Sequence, residues 1–334
     1  MKRKALVTGA AGFIGSHLAE RLVCLGYQVV GLDNFDDFYS PTIKWNNIRT
    51  LNTTDNFRLE QGDIRDESLL TRIFEANDID EVVHVAARAG VRPSIEQPLL
   101  YQDVNIRGTI NLLEACRIYG VKKFVFASSS SVYGLNNEVP FNENDKVDSP
   151  TSPYASSKIA AEQFCHSYNH LYGLPVRVLR LFTVYGPRQR PEMAIHLFTR
   201  KIDSGEEISV FGDGTSKRDY TYVDDIINGI MQALTFQSQG FEIFNLGDSH
   251  PVALEYLIRL IEEAMGKKAK IKSLPMQPGD VPITSAEISK AKNILGYQPK
   301  VTIEKGIPLF VQWYLENKGI VVCRFYRVSG GRAG

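Results

Sequence analysis

Long apolar runs and an excess of charge of either sign are both missing from this sequence. No stretch is apolar for long enough to span a bilayer, and the apolar run behind the basic start is too short for a signal peptide. Lysine plus arginine number 38, as do aspartate plus glutamate, so the formal net charge is zero. We therefore expect no membrane and no nucleic acid among the partners, because both attract strongly basic proteins.

Cysteine is also scarce. The four cysteines are widely separated and form no CxxC pair, so the sequence predicts neither a zinc cluster nor a disulfide framework. No other metal site is predicted, and we expect a protein of the reducing cytoplasm. The cysteines are Cys24, Cys116, Cys165 and Cys323.

What the chain does have is a regular alternation of predicted strands and helices. Residues 5–7 and 28–33 read as buried strands, and between them Ile14, Leu18 and Leu22 recur at helical spacing. Such alternation is typical of an α/β fold whose parallel sheet is covered by helices on both faces. We predict a doubly wound sheet of the Rossmann type with a smaller mixed α/β lobe. Further strands are predicted at 82–85, 123–127, 176–181 and 244–246, and a helix at 108–119.

Three glycines separate the first strand from the first helix. Gly9, Gly12 and Gly15 have the spacing GxxGxxG rather than the GxGxxG of most dinucleotide sites. They allow a sharp turn and a close approach of the backbone to a pyrophosphate, which the N–H groups of the helix start would face. The triplet alone also fits a plain tight turn, but the strand–helix–strand setting favours a dinucleotide site.

Asp33 ends the second predicted strand, where a carboxylate can accept hydrogen bonds from the hydroxyls of an adenosine ribose. A 2′-phosphate would meet like charge there, and the neighbours Asn34, Asp36 and Asp37 bring no arginine, so NAD is favoured over NADP. Asp33 can also be explained as a turn or capping residue. Asp63 follows the next strand-like segment and is predicted near the adenine, although it also fits an Asx turn.

A candidate acid–base pair stands four residues apart. Ser152 can cap a helix and Pro153 suits its first position, so Tyr154 and Lys158 would lie on one helix face. A nearby ammonium and a positive nicotinamide would lower the tyrosine pKa from about 10, as a general base near neutral pH requires. A tyrosine and a lysine at this spacing also occur on exposed helix surfaces without a functional role. The serine run 128–131, placed just after a predicted strand at the ligand crevice, favours the catalytic interpretation.

These segments together resemble a known superfamily. The glycine loop, residues 84–87, the serine run and the tyrosine–lysine pair are similar to the extended short-chain dehydrogenases/reductases, the NAD-dependent epimerases and dehydratases of nucleotide sugars. The resemblance implies that Ser129, Tyr154 and Lys158 are catalytic, with Tyr154 as the base, and that Asn105 is structural or close to the cofactor. The positions implied to bind NAD are Gly9, Gly12, Phe13, Ile14, Gly15, Asp33, Asn34, Asp63, Ile64, Ala86, Ala87, Tyr154 and Lys158.

Within the superfamily, the serine run favours one reaction. Dehydratases have an Asp-Glu pair resembling the positions of Ser130 and Ser131, and UDP-glucuronate decarboxylases have a glutamate resembling that of Ser131. This chain lacks the carboxylic acid that elimination needs, which favours an epimerase acting at C4 of the sugar through a transient ketone. A decarboxylase or a 4,6-dehydratase remains an alternative, as does a regulatory protein that binds NAD without catalysis.

Three segments narrow the substrate. Residues 33–41, 89–92 and 182–193 resemble UDP-glucuronate 4-epimerases, a family that converts UDP-glucuronate to UDP-galacturonate. UDP-glucose or a UDP-N-acetylhexosamine is the alternative substrate. The positions implied to bind the UDP-sugar, through the uronate carboxylate or the nucleotide, are Arg92, Ser129, Ser130, Ser131, Thr183, Arg190, Arg218 and Asp280.

A guanidinium can bind a carboxylate through two parallel hydrogen bonds, which suits Arg190. Arg188 and Arg190 could also be solvated charges or form an interlobe salt bridge. A 4-keto uronate is a β-keto acid that tends to lose CO2, and we hypothesise that holding its carboxylate among hydroxyls suppresses this loss.

The resemblance extends to about Tyr314 and implies two lobes. We predict an NAD-binding domain from residues 1–182 plus 224–247, a nucleotide-sugar lobe from 183–223 plus 248–318, and a peripheral tail at 319–334. The family usually forms homodimers through helices. The apolar helix predicted at 108–119 is compatible with this, although burial in the core would explain it equally well.

Overall fold

The computed structural model describes residues 2–136, 138–275 and 281–322. Within these ranges, no helix combines the length and the apolarity needed to cross a membrane. The strands are β1 (Lys4–Thr8), β2 (Gln28–Asp33), β3 (Phe57–Gln61), β4 (Glu81–His84), β5 (Lys123–Ser129), β6 (Val176–Leu181), β7 (Thr183–Tyr185), β8 (Glu207–Phe211), β9 (Lys217–Tyr222), β10 (Phe241–Leu246), β11 (Pro251–Ala253) and β12 (Lys270–Leu274). The helices are α1 (Phe13–Cys24), α2 (Pro41–Asn47), α3 (Glu67–Ala76), α4 (Val91–Glu96), α5 (Pro98–Gln102), α6 (Gly108–Ile118), α7 (Pro153–Tyr172), α8 (Ala194–Ser204), α9 (Val223–Thr235), α10 (Leu254–Met265) and α11 (Ile303–Val322).

Seven strands form the central sheet, in the order β10-β6-β5-β4-β1-β2-β3. Every neighbouring pair is parallel. The strand order reverses where β1 lies between β2 and β4, and a parallel sheet binds its ligand beyond the carboxyl ends of the strands at such a point. The predicted α/β fold with a parallel Rossmann-type sheet is confirmed, including the return of residues 244–246 to its edge.

Both faces of the central sheet are buried, which explains the continuous apolar runs in its strands. In β1, Ala5 and Val7 belong to the apolar cluster on one face and Leu6 to the cluster on the other. In β5, Val125 and Phe126 divide between the two faces in the same way. This packing leaves the carboxyl ends of the strands as the place where polar side chains gather.

Two small sheets come from the second half of the chain. One has the strand order β11-β9-β7 and the other pairs β12 with β8. Their location agrees with a second lobe built mainly after Leu181, while the predicted domain boundaries stay a prediction. Helix α11 continues to Val322, so the first residues of the predicted tail, 319–322, are helical. Residues 323–334, and with them Cys323, lie outside the described residues.

The helix that carries the candidate acid–base pair begins as its sequence predicts. The Ser152 hydroxyl accepts a hydrogen bond of 3.1 Å from the Ala155 N–H, and Pro153 occupies the first turn of α7. Gly173, in the left-handed conformation at φ 69°, ends the helix. These local signals set the rotation of α7, which decides where Tyr154 and Lys158 point.

Candidate active site

A cavity of about 390 Å³ opens at the carboxyl ends of β1, β4 and β5. It brings together all of the predicted cofactor residues, the candidate catalytic residues and part of the predicted sugar-binding set. Those that line it are Gly9, Gly12, Phe13, Ile14, Gly15, Asp33, Asn34, Asp63, Ile64, Ala86, Ala87, Ser129, Ser130, Ser131, Tyr154, Lys158, Thr183 and Arg190.

The glycine loop has no room for side chains. A Cβ on Gly15 would lie 2.0 Å from the Gly9 carbonyl oxygen, and one on Gly9, whose φ is +70°, would lie 2.9 Å from the Ala86 nitrogen. Gly12 caps α1 without a side-chain hydrogen bond, and the first turn of α1 contains no acidic residue. The helix therefore presents its N–H groups and the positive end of its dipole to the cavity, which suits a pyrophosphate.

Asp33 lies at the end of β2 with its carboxylate pointing back to the glycine loop. One carboxylate oxygen accepts a hydrogen bond of 3.0 Å from the Ala11 N–H, and the other accepts one of 2.8 Å from the Phe35 N–H. Because a carboxylate has about four acceptor sites, two remain for the hydroxyls of a ribose.

Lys44 also lies beside Asp33, a contact that the sequence around Asp33 did not predict. Its Nζ is 4.0 Å from an Asp33 oxygen and donates a hydrogen bond of 2.8 Å to the Asp36 carbonyl. Burial lowers the pKa of Lys44, with the charge of Asp33 acting in the opposite direction. The cation reaches this place because α2 folds back over the loop that follows β2.

Asp63 lines the cavity and also forms the Asx turn that the sequence left open. One of its oxygens accepts 2.9 Å hydrogen bonds from the N–H and the Nε of Arg65, and the other accepts 2.8 Å from Asn34. Burial alone would raise the pKa of Asp63, but the hydrogen bonds of Arg65 and Asn34 outweigh burial and lower it to about 2.

Lys158 is buried on α7, 3% exposed, under the end of β5. Its Nζ donates a hydrogen bond of 2.7 Å to the Ala127 carbonyl and lies 4.7 Å from the centre of the Phe126 ring. Burial lowers the pKa of Lys158 to about 8, against the effect of the Glu162 carboxylate. The lysine is therefore a group that titrates not far from neutral pH.

Tyr154 faces the same cavity one turn before Lys158. Its phenol is hydrogen-bonded to the Ser129 hydroxyl. Burial raises the pKa of Tyr154, whereas the Ser129 hydrogen bond and the charge of Arg190 lower it by less. The sequence analysis attributed a lowering of the Tyr154 pKa to the ammonium of Lys158. In the structure the protein groups that favour the phenolate are Ser129 and Arg190, and they do not offset burial.

The serine run divides its hydroxyls between the core and the cavity. The Ser128 hydroxyl donates to the buried Glu162 carboxylate, although the residue also lines the cavity. The Ser129 hydroxyl lies 3.1 Å from that of Ser131 and accepts a hydrogen bond of 3.2 Å from the Ser131 N–H. Ser130 and Ser131 belong to a single 3-10 turn, Ser130–Tyr133, that lines the cavity.

The two arginines of residues 186–191 point to different parts of the structure. Arg190 lines the cavity beside Thr183, and its Nε is 3.1 Å from a Glu192 oxygen. Arg188 turns to α1 instead and makes an ion pair of 2.7 Å with Glu20. Arg188 is therefore the interlobe salt bridge that the sequence offered as an alternative, whereas Arg190 faces the space where a substrate would lie.

A second cavity of about 480 Å³ contains the other predicted cations. Arg92 and Arg218 line it, and the Arg92 guanidinium lies 4.7 Å from the centre of the Phe211 ring. Val91 lines the first cavity and its chain neighbour Arg92 lines the second. Asp280 lies outside the described residues.

Known proteins resemble this chain over nearly its whole length. A family profile described as GDP-mannose 4,6 dehydratase matches residues 6–309. A UDP-glucuronate 4-epimerase of Thermodesulfobacterium geofontis is 46% identical over 313 residues, which cover 93% of this chain and 96% of that relative. The chain belongs to the extended short-chain dehydrogenase/reductase family of epimerases and dehydratases.

Two solved structures carry the likeness into three dimensions. One is a UDP-glucuronic acid 4-epimerase from Bacillus cereus in complex with UDP-glucuronic acid and NAD, with a TM-score of 0.89 and 38% identity over 94% of this chain and 99% of that one. The other is a UDP-glucose 4-epimerase from Thermotoga maritima with UDP-glucose, with a TM-score of 0.86 and 35% identity over the same shares. The fold and the family agree with the resemblance found in the sequence.

Of two polar residues next to the site, Glu162 escaped the sequence analysis, whereas Asn105 was expected to be structural or close to the cofactor. The Asn105 side chain accepts a hydrogen bond of 2.8 Å from the Arg88 N–H and donates one of 3.0 Å to the Arg88 carbonyl. It also donates a hydrogen bond to the Ser157 hydroxyl on α7. Glu162 lies four residues after Lys158, as Lys158 lies four residues after Tyr154. That spacing was the available signal for its place on the same face of α7.

No group of three histidine, cysteine, aspartate or glutamate side chains is arranged to hold a metal ion in the part of the chain that the structure describes.

Proposed function

We propose that this chain is an NAD-dependent 4-epimerase that interconverts UDP-glucuronate and UDP-galacturonate. The observation that carries the proposal is the single cavity in which Arg190 and Thr183 stand with Ser129, Tyr154 and Lys158. A guanidinium suited to a carboxylate thus shares one space with an acid–base pair suited to an alcohol. The names of the Thermodesulfobacterium geofontis and Bacillus cereus relatives support the same reaction.

The residues at the reversal of strand order fit NAD. The crowded glycines and the uncapped start of α1 would hold the pyrophosphate, and Asp33 would take the adenosine ribose. Phe13, Ile14, Asn34, Asp63, Ile64, Ala86 and Ala87 would complete the lining. When bound, NAD supplies a hydride acceptor for C4 of the sugar and later returns the hydride to the opposite face, so it is not consumed.

The chain itself moves the proton. Tyr154 takes the proton of the C4 hydroxyl as the hydride leaves and returns a proton to the C4 oxygen when the hydride comes back. Ser129, hydrogen-bonded to the phenol, orients the tyrosine and the sugar oxygen. Lys158, held against the Ala127 carbonyl, would bind the nicotinamide ribose.

In this proposal, positive charge in the cavity selects a sugar that carries a carboxylate. Arg190, Thr183, Ser130 and Ser131 would bind the uronate carboxylate, and a guanidinium has enough donors to serve both this group and Glu192. The serine run supplies hydroxyls and no carboxylic acid, which disfavours decarboxylation and dehydration. The nucleotide end would extend into the second cavity, where Arg92 and Arg218 suit a diphosphate. The predicted role of Asp280 near the nucleoside remains a prediction.

UDP-glucose 4-epimerisation is the second candidate. The ion pair of Arg190 with Glu192 favours it, because a neutral sugar would leave that pair undisturbed. The likeness to the Thermotoga maritima enzyme points the same way.

A panel of UDP-sugars decides between the candidates. The purified holoenzyme is incubated without added NAD, and the products are identified by NMR. UDP-galacturonate formed from UDP-glucuronate supports the proposal, and turnover of UDP-glucose alone supports the second candidate. Tyr154→Phe, which should lose almost all turnover while retaining NAD, separates an enzyme from a protein that only binds the cofactor.

We also infer a cytoplasmic homodimer. The described cysteines, Cys24, Cys116 and Cys165, are free thiols, as is typical of a reducing compartment. The predicted helix at 108–119 turns most of its apolar residues into the core, although its Ile118 is 60% exposed. Leu99 on α5 and Leu171 on α7 are 79% and 65% exposed. Light scattering should give twice the chain mass, and Leu99→Glu should shift it toward the monomer.

A further inference from the structure

The loop of residues 186–191 reaches from β7 to the cavity and is held in an uncommon conformation. Gly186 has φ +139° and Arg188 has φ +65°, a region that non-glycine residues rarely adopt. The loop ends at Arg190 and Pro191 and so determines where the Arg190 guanidinium stands. A conformation of this kind persists only where surrounding contacts hold it in place.

One set of contacts fastens the loop to α1. Arg188 donates to Glu20 at 2.7 Å and to the Ser16 hydroxyl at 3.3 Å. One turn away from Glu20, the Nε2 of His17 lies 3.0 Å from the Pro187 carbonyl. Since a carbonyl only accepts, Nε2 of His17 carries the proton.

His17 makes this contact as a neutral ring. Burial lowers the pKa of His17 to about 4, and the neighbouring positive charge of Arg188 acts in the same direction. The contact with Pro187 therefore keeps the same form throughout the neutral pH range, and the charged part of the fastening is the pair of Arg188 with Glu20.

A second set of contacts holds the loop from the other side. The Nδ1 of His196, a fully buried residue of α8, lies 2.6 Å from the Gln189 carbonyl. The Gln189 side chain donates a hydrogen bond of 3.1 Å to the carbonyl of Val184 on β7, just before the loop. The peptide group before Arg188 is thus held to α1, and the one that joins Gln189 to Arg190 is held to α8.

The position of α1 gives these contacts a functional meaning. The first turn of α1 faces the cavity, where Phe13, Ile14 and Gly15 line it. Ser16, His17 and Glu20 follow directly on the same rigid helix, so a loop fastened to them keeps a fixed distance from the cofactor end of the cavity.

We propose that His17, Glu20 and Arg188 form a clamp that sets the position of Arg190 relative to the cofactor and the acid–base pair. His17, Glu20 and Arg188 are positioning residues, because none of them lines the cavity. This proposal rests on the proposed function, in which Arg190 binds the substrate carboxylate. The clamp then acts on uronate recognition specifically, whereas a tie that only stabilises the fold would affect all UDP-sugars alike.

The experiment compares two ligands on the holoenzyme. Binding of UDP-glucuronate and of UDP-glucose is measured by calorimetry for the wild type, Arg188→Gln, Glu20→Gln and Arg190→Gln, with Tm and NAD content as checks on folding. Arg188→Gln and Glu20→Gln should each raise the Kd for UDP-glucuronate about five- to tenfold and leave that for UDP-glucose within about twofold. Arg58→Gln, which removes the remote ion pair with Glu60, is the matched control and should change neither Kd.

Charge reversal provides the rescue. Arg188→Glu alone should bind UDP-glucuronate more weakly than Arg188→Gln, and the double variant Arg188→Glu with Glu20→Lys should recover most of the lost affinity. If Arg188→Gln does not fold, Glu20→Gln on the surface of α1 gives the same comparison.

The outcomes separate the clamp from the proposed function. If Arg190→Gln weakens UDP-glucuronate binding selectively but Arg188→Gln and Glu20→Gln do not, the clamp is overturned and the function stands. Equal weakening of both ligands by Arg188→Gln and Glu20→Gln also overturns the clamp. If Arg190→Gln changes neither ligand, the proposed recognition of the carboxylate fails, and the clamp has nothing to position.

Discussion

Glu162 accepts two hydrogen bonds from the Arg180 guanidinium, 3.1 and 2.8 Å long, beneath the candidate active site. The Glu162 side chain is 1% exposed and that of Arg180 2% exposed. Ser128, the first serine of the run, donates to the same carboxylate. The pair therefore connects α7, which carries Tyr154 and Lys158, to β6 and to the end of β5.

Glu162→Gln should destabilise the protein strongly. The variant leaves the Arg180 charge buried without its counter-charge, and loss of one partner of a buried pair costs about 3–5 kcal/mol. Chemical denaturation should show this loss in the free energy of unfolding. The double variant Glu162→Gln with Arg180→Met should lose less than the single one, because it removes the unpaired Arg180 charge. Glu60→Gln, in an exposed pair, is the control and should cost less than about 1 kcal/mol.

The pH dependence of turnover should report Lys158. Its pKa lies near 8 because it is buried, so its charge is lost as the pH rises through that value. A neutral amine has one N–H donor fewer than the ammonium that would hold both the Ala127 carbonyl and the nicotinamide ribose, so kcat/KM should fall on the alkaline side of about pH 8. Glu162 raises the pKa of Lys158, so Glu162→Gln should move this limb to lower pH. A pH profile of the holoenzyme tests this, and an alkaline limb that stays in place would contradict it.

The glycine loop should tolerate no side chain at position 15. A Cβ on Gly15 would come within 2.0 Å of the Gly9 carbonyl oxygen, and only a shift of backbone can relieve that contact. Gly15→Ala should purify with little or no NAD, measured after acid release of the cofactor. Gly319→Ala is the matched control, since no atom lies within 4 Å of its Cβ, and alanine is favoured over glycine within a helix. A Gly15→Ala protein with a full complement of NAD would count against the assigned loop.

Local patterns explain why much of the fold and part of the site could be predicted. The sequence from β1 through α1 to β2 is one continuous strand–helix–strand unit, and Tyr154 and Lys158 are neighbours on one helix. For such residues, periodicity and caps determine both the element and the face.

Contacts between distant segments could not be predicted in this way. Lys44 meets Asp33 only because α2 folds back, and Arg188 and Arg190 separate because the loop between them turns through a positive φ. The pKa of Tyr154 depends on burial by elements that are far apart in the chain. The helical spacing therefore predicted that Lys158 is a neighbour of Tyr154, but it could not predict whether the pKa of Tyr154 is raised or lowered.

The last prediction concerns the fate of the ketone. A 4-keto uronate loses CO2 when the bond to its carboxylate aligns with the carbonyl π system, and a carboxylate held by several donors is kept from that alignment. Thr183 begins β7 and faces the cavity beside Arg190, so its hydroxyl is one of these donors in the proposed complex. Thr183→Val should lower kcat/KM and raise the UDP-pentose fraction of the product about tenfold.

NMR analysis of the products formed from UDP-glucuronate measures that fraction. Thr235→Val, at the end of α9, removes a hydroxyl that is bonded only to its own helix and should leave the product ratio unchanged. If Thr183→Val slows turnover but forms no more UDP-pentose than the wild type, the threonine contributes to affinity alone. Protection from CO2 loss would then have to come from Arg190 and the serine run.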